Sequence, residues 1–225
     1  DHECCEEERF QVAVFERAGV PAGLVDDVRQ FYQFLKGFAC AVTPSRRLEP
    51  NDVIELGSGL FKVDHVPGHT PWCIMMVNGE DGIAFTGDFL LQEISSNPLI
   101  QRPSRAPDGY RSLEAYVSSL ERVARMDLGL ILPGHGGLIK NPGKRITELL
   151  GFIDARARQI TGILRERPGL TVFEIVREIF PALRGLCTPG GPGRQGYRGL
   201  PQWGPSFPVH AASLKRRQGR CGKRG

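Results

Sequence analysis

Three short apolar runs in this chain each end in a glycine-bearing turn that presents a metal-capable side chain. FKVDHV runs into Pro67-Gly68-His69, IAF into Thr86-Gly87-Asp88, and LGLIL into Pro133-Gly134-His135. Each run has the length of a buried strand, and the glycine lets the backbone turn at the rim of a sheet, where several such groups can converge. Two imidazoles and one carboxylate suit zinc or a similar borderline metal. A single Pro-Gly-His is more often just a turn; three such turns in series carry more.

The surrounding pattern predicts alternating strands and helices. Arg9 to Arg17 reads as a helix ended by Gly19, and Pro21 opens a second with Leu24, Val25, Val28, Phe31, Phe34 and Leu35 on or near one face. VIEL and LFKVDHV flank Gly57-Ser58-Gly59 as a hairpin, and Trp72 to Val77 pairs with Ile83 to Thr86 across a glycine-rich turn. Ser112 is the expected N-cap of a helix carrying Leu113, Tyr116, Val117, Leu120 and Val123, followed by a buried strand from Leu128 to Leu132. Lys144 to Arg167 is amphipathic, and Thr171 with Glu174 forms a capping box before a helix from Val172 to Phe180, stopped by Pro181.

Charge separates the two ends of the chain. Residues 186–225 hold eight Lys/Arg, no Asp/Glu, nine Gly and five Pro, which leaves residues 1–185 with 21 Lys/Arg against 25 Asp/Glu, a formal −4. The tail has no apolar period and is expected to be disordered. The basic character is not that of a folded nucleic-acid-binding domain, although the tail suits non-specific phosphate contacts. Six cysteines (Cys4, Cys5, Cys40, Cys73, Cys187, Cys221) show no C-x-x-C pair, so free thiols in a reducing cytoplasm are expected. No run approaches the roughly 18 apolar residues of a membrane span.

The strings PGHT, TGD and PGHG, in that order, resemble the third, fourth and fifth metal motifs of the metallo-β-lactamase superfamily. The resemblance runs from FERAGVP through LEPNDVIELGSGLFKVDHVPGHTP and GIAFTGDFLLQEISSNP to YVSSLERVARMDLGLILPGHG, roughly residues 10 to 140. ITELLGFIDARARQITGILRERPGLTVFEIVREIF is similar to the opening of the small winged-helix domain that follows the catalytic domain in the lactamase-like subgroup.

That resemblance implies an α/β fold: a four-layer αββα sandwich, here incomplete, over residues 1–143, a partial winged-helix-like module over 144–185, and the tail over 186–225. It implies that His69 ligates a first metal ion, His135 a second, and that Asp88 bridges both and serves catalysis by setting their separation. Zinc is the expected ion, with iron or manganese as alternatives. The reaction implied is hydrolysis by a metal-activated water, with a small thioester or other acyl compound favoured over nucleic acid as substrate.

The family's His-x-His-x-Asp-His motif occurs nowhere among His2, His65, His69, His135 and His210. Asp1-His2 is read as lying downstream of that motif, so the sequence is expected to be N-terminally truncated, aggregation-prone, and by itself inactive or very weak. His65 is read as a polar residue on a solvated strand face, Asp64 and Asp81 as exposed or turn carboxylates, and His210 as a tail residue. The competing reading is a non-catalytic fold relic that binds nucleic acid or a protein. The abrupt change of composition near Leu186 also raises a reading-frame or splice difference.

Overall fold

The computed structural model describes residues 2–38, 42–181 and 183. Residues Asp1–Ile179 form one compact unit. The basic tail, with His210, Cys187 and Cys221, lies outside the described residues, as does Cys40.

Two helices come first, α1 (His2–Arg17) and α2 (Ala22–Lys36). α1 starts well before the expected Arg9. Acidic residues crowd its first half, where they favour the helix N-terminus, and Gln11 bonds to Glu7 one turn earlier at 3.0 Å. It ends through Gly19, whose φ of 80° suits glycine. α2 buries Val25 but leaves Phe31 and Phe34 largely exposed, so its apolar face is only partly used; Phe34 packs edge-on against Phe38 at 4.9 Å.

The sheet has five strands: β1 (Val53–Leu56), β2 (Gly59–His65), β3 (Ile74–Asn78), β4 (Ile83–Gly87) and β5 (Leu130–Pro133), in that spatial order. β1 to β4 are an antiparallel meander, and β5 joins β4 in parallel. The first hairpin turns at Gly57, φ 62°. In the β3–β4 turn, the Asn78 side chain accepts from the backbone of Glu80 and Asp81 and donates to the Asp81 carboxylate, so Asp81 is the turn carboxylate expected. The β4-to-β5 crossover carries α3 (Ser112–Val123), as a parallel connection requires.

Strand alternation puts Met75, Ala84 and Ile131 on one face, where they meet Tyr116, Leu120 and Val123 of α3 and Ile146 and Leu149 of α4 (Pro142–Glu166). Each fully buried aliphatic side chain there contributes about 1.5–3 kcal/mol. The opposite face carries Phe61 against Phe85, ring centroids 5.4 Å apart, with Ile74, Met76, Ile83, Phe85, Leu130 and Leu132 half-buried. The described residues form this one mixed sheet with its helices; a four-layer sandwich needs a second sheet against that apolar face.

Local rules hold at most ends. Asn141 caps α4 by accepting from Lys144 N at 3.0 Å. At α5 (Val172–Ile179) the Thr171–Glu174 capping box forms in both directions, and the Thr171 backbone bond holds the Glu174 carboxyl below its usual range. α3 departs from expectation: Ser112 is its first helical residue, Arg111 is the N-cap without a side-chain bond, and the Ser112 hydroxyl donates instead to Leu99 O. A tertiary acceptor has outcompeted the local one. No described helix is long and apolar enough to cross a membrane.

Tyr116 lies at the centre of this core, 1 % exposed and edge-on to Phe89 at 5.6 Å. Its hydroxyl rests against the Ser96 backbone without a hydrogen bond of good geometry, and burial pushes its pKa up from 10.0 to about 12. The folded state therefore holds this proton more tightly than the unfolded chain, so the associated stability is complete below pH 10 and is lost as pH rises through about 12. Tyr116→Phe should remove roughly 2 kcal/mol of that alkaline loss while costing little at pH 7, where it deletes an unbonded hydroxyl. Urea midpoints of both proteins across that pH range provide the check.

Candidate metal centre at the strand ends

The sheet topology brings the three polar turns together. β2, β4 and β5 run in one direction, because β2 and β4 are each antiparallel to β3 and β5 is parallel to β4. His69, Asp88 and His135 follow the C-terminal ends of those three strands, the edge at which open sheets collect their sites.

Asp88 stands in the middle. Its Oδ1 lies 3.1 Å from His135 Nδ1 and its Oδ2 lies 3.9 Å from His69 Nε2. Each carboxylate oxygen thus faces a different imidazole. The side chains of His69, Asp88 and His135 are 25 %, 37 % and 53 % exposed, so the group is open to solvent on the His135 side. Among the described residues no three or more His, Cys, Asp and Glu side chains close on a common point that would hold an ion. The arrangement is two imidazole–carboxylate pairs sharing one carboxylate.

Glycine makes the close approach of the turns possible. A Cβ on Gly134 would stand 2.7 Å from Asp88 Oδ1 and 3.1 Å from Gly87 C, and Gly134 N donates to Gly87 O at 2.8 Å. The loop after His135 returns to β5 through paired bonds between Ile131 and Ile139. Gly68 is just as constrained, since a Cβ there would meet Tyr116 Cα at 2.8 Å; Ser119 of the same helix donates to Pro67 O at 2.8 Å. On the far side, Arg145 of α4 fastens the segment after Asp88 by donating to Leu91 O and Ile94 O.

His69 Nδ1 lies 2.8 Å from Asn97 O. A backbone carbonyl only accepts, so Nδ1 carries a proton and Nε2 is the ring nitrogen that faces Asp88. This is the outer hydrogen bond typical of metal-binding histidines, and with the carboxylate between two imidazoles the donor set suits a divalent ion of zinc type.

Sequence reasoning missed the residues that hold this arrangement. His65 is half-buried rather than solvated, and its Nε2 meets Pro71 O at 2.7 Å, tying the end of the His69 turn to the end of β2. Asp64 is paired with Arg122, 2.5 Å away on α3, and Arg122 also donates to His65 O. Arg122 lies 58 residues from Asp64 and 57 from His65, beyond any local pattern, and Pro71 and Asn97 act through their backbone carbonyls, which no residue type reveals. His65→Phe should release the turn: amide exchange across residues 66–71 should rise several-fold, as expected for a bond worth ~1 kcal/mol, with Met75 and Ala84 unchanged.

Residues 12–135 match the sequence profile of the Metallo-beta-lactamase superfamily. The chain is 25% identical over 177 residues to "Probable metallo-hydrolase YqjP" of Bacillus subtilis (strain 168), covering 79% of this chain and 54% of that protein. It is 35% identical over 98 residues to "Acyl-coenzyme A thioesterase MBLAC2" of Gallus gallus, 42% of this chain and 32% of that one. Among solved structures it resembles a beta-lactamase domain protein from Burkholderia ambifaria, with a TM-score of 0.58, 29% identity, and coverage of 68% and 46% of the two chains. It shares its fold with the metallo-beta-lactamase family protein TTHA1429 from Thermus thermophilus, with a TM-score of 0.57, 24% identity, and coverage of 75% and 52%. The chain spans about half the length of YqjP and of these two structures. With the strand-end site and this profile match together, the chain belongs to the metallo-beta-lactamase superfamily.

Proposed function

We propose that this chain is the metal-binding part of a metal-dependent hydrolase that acts on a thioester or other acyl substrate. One observation carries the reading: the two oxygens of Asp88 face two different imidazoles, the disposition of a carboxylate that bridges two ions. His69 through Nε2 and His135 through Nδ1 would each serve one ion, and Asp88 would bridge them. Zinc suits these donors best; iron and manganese accept the same nitrogen and oxygen ligands. Bound ions would supply a water of lowered pKa and polarise the scissile carbonyl.

The chain's own residues set the geometry for that chemistry. Asn97 O fixes the His69 tautomer, and Gly134 lets the His135 turn close on Asp88. An acyl substrate fits a further feature: an apolar cavity of about 290 Å³ lined by Ser96, Pro98, Leu113, Tyr116, Phe152 and Ile160 lies beside Asn97. The thioesterase named among the relatives supports the same substrate class. The half-buried second face of the sheet supports the four-layer sandwich, and the α4–α5 pair supports a helical module over residues 144–185 that opens a winged-helix-like domain.

Zinc titration of the chain tests the proposal. Wild type should take up zinc; His69→Ala and His135→Ala should each lose one ion; and Asp88→Asn should weaken uptake by about 100-fold or more, since it removes the shared ligand. Undiminished binding in Asp88→Asn would contradict it and favour a non-catalytic role.

A further inference from the structure

The segment from Ser95 to Leu99 has two roles in the fold. Asn97 O holds His69 Nδ1 at 2.8 Å and Leu99 N reaches His69 O at 3.2 Å, so the segment supports the histidine that faces Asp88. Its first four residues are also one wall of the apolar cavity of about 290 Å³, which α3 completes with Leu113 and Tyr116 and α4 with Phe152, Ala157 and Ile160.

The surface this cavity offers a ligand is hydrocarbon. The hydroxyls of Ser96 and Tyr116 are closed off from solvent. Arg156 is the one charged side chain among the described lining residues, and it is engaged: it donates to Gln159 Oε1 at 3.1 Å, and its guanidinium lies 5.4 Å from the centre of the Phe152 ring. An anionic group would enter with no cation to meet it and would bear the desolvation cost of a bare charge. A helix, about 10–12 Å across with its side chains, needs more room than this. A flexible run of methylenes needs neither a charge nor a wide mouth.

The volume sets a length. An apolar cavity of about 150 Å³ takes the six carbons of benzene, about 25 Å³ per atom, so about 290 Å³ takes about ten to twelve carbons.

We propose that this cavity takes the acyl chain of the substrate and selects an uncharged chain of medium length, up to about ten to twelve carbons, with the carbonyl end left beyond Asn97 on the side of His69 and Asp88. Leu113, Ala157 and Ile160 are then side chains that determine specificity. The inference rests on the acyl-hydrolase reading for its substrate class, but its test needs neither metal nor turnover.

Calorimetric titration of the metal-free full chain with straight-chain carboxylates, butanoate to hexadecanoate and each below its micelle concentration, reads the cavity directly. Affinity should rise about fourfold for each methylene added, as burial of a CH2 group gives, and should stop rising at about twelve carbons. Leu113 is 51% exposed and Ala157 is exposed, so both positions accept substitution without loss of the fold, which circular dichroism checks. Ala157→Phe narrows the cavity and should bring the plateau down by about two carbons or more; Leu113→Ala should move it up. The inference is overturned if no carboxylate binds at millimolar concentration, if affinity keeps climbing through hexadecanoate as on an open apolar surface, or if the plateau stays in place in both variants. A plateau at the stated length, together with zinc uptake undiminished by Asp88→Asn, upholds the cavity and defeats the hydrolase reading. Zinc uptake that Asp88→Asn abolishes, with no carboxylate bound, does the reverse.

Discussion

The contact between the ends of β4 and β5 governs this structure. The two strands run parallel with Gly87 opposite Pro133, and the turns that leave them touch where Gly134 donates to Gly87 O. Asp88 Oδ1 occupies the space in which any other residue at 134 would place its Cβ. The close approach of the Asp88 and His135 turns therefore follows from backbone hydrogen bonding between the strand ends and from the absence of a side chain at Gly134. Positive φ at Gly87, 50°, and at Gly136, 82°, lets both turns fold back at once.

The third member of the group comes from across the sheet, separated from Asp88 by β3, and is held by different means. α3 packs Tyr116 directly against Gly68 and bonds to Pro67 through Ser119, while Arg122 ties the same helix to Asp64 and His65 at the end of β2. The helix that covers the core thus also sets the height of the His69 turn, and core packing and site geometry are one constraint. Tyr116 illustrates the coupling: its ring fills the core, its backbone limits Gly68, and its hydroxyl touches the segment that ends in Asn97, the partner of His69.

Much of this was legible in the sequence because it is local. The glycines at 57, 68, 87 and 134 mark turns, the apolar runs mark strands, and the Thr171–Glu174 spacing marks a helix start; each follows from neighbours within a few residues. The order PGHT, TGD, PGHG carries the family resemblance, and the sheet places those three turns at one edge. What escaped was long-range or carried by the backbone. His65 reads as a solvated strand residue until Pro71 is seen to fold back over it. Ser112 has the look of a cap, yet a carbonyl 13 residues away captures its hydroxyl. Phe31 and Phe34 have helical spacing on α2, and nothing in that spacing tells that both stay exposed.

The central claim is that the Asp88 carboxylate is the shared axis of an ion-binding centre. Anomalous diffraction at the zinc edge, on crystals of this chain soaked in zinc, tests it most directly. The account predicts anomalous peaks flanking Asp88, one on the His69 side and one on the His135 side. Zinc found instead at His65 or at the cysteine thiols, with Asp88 untouched at saturating concentration, would contradict it.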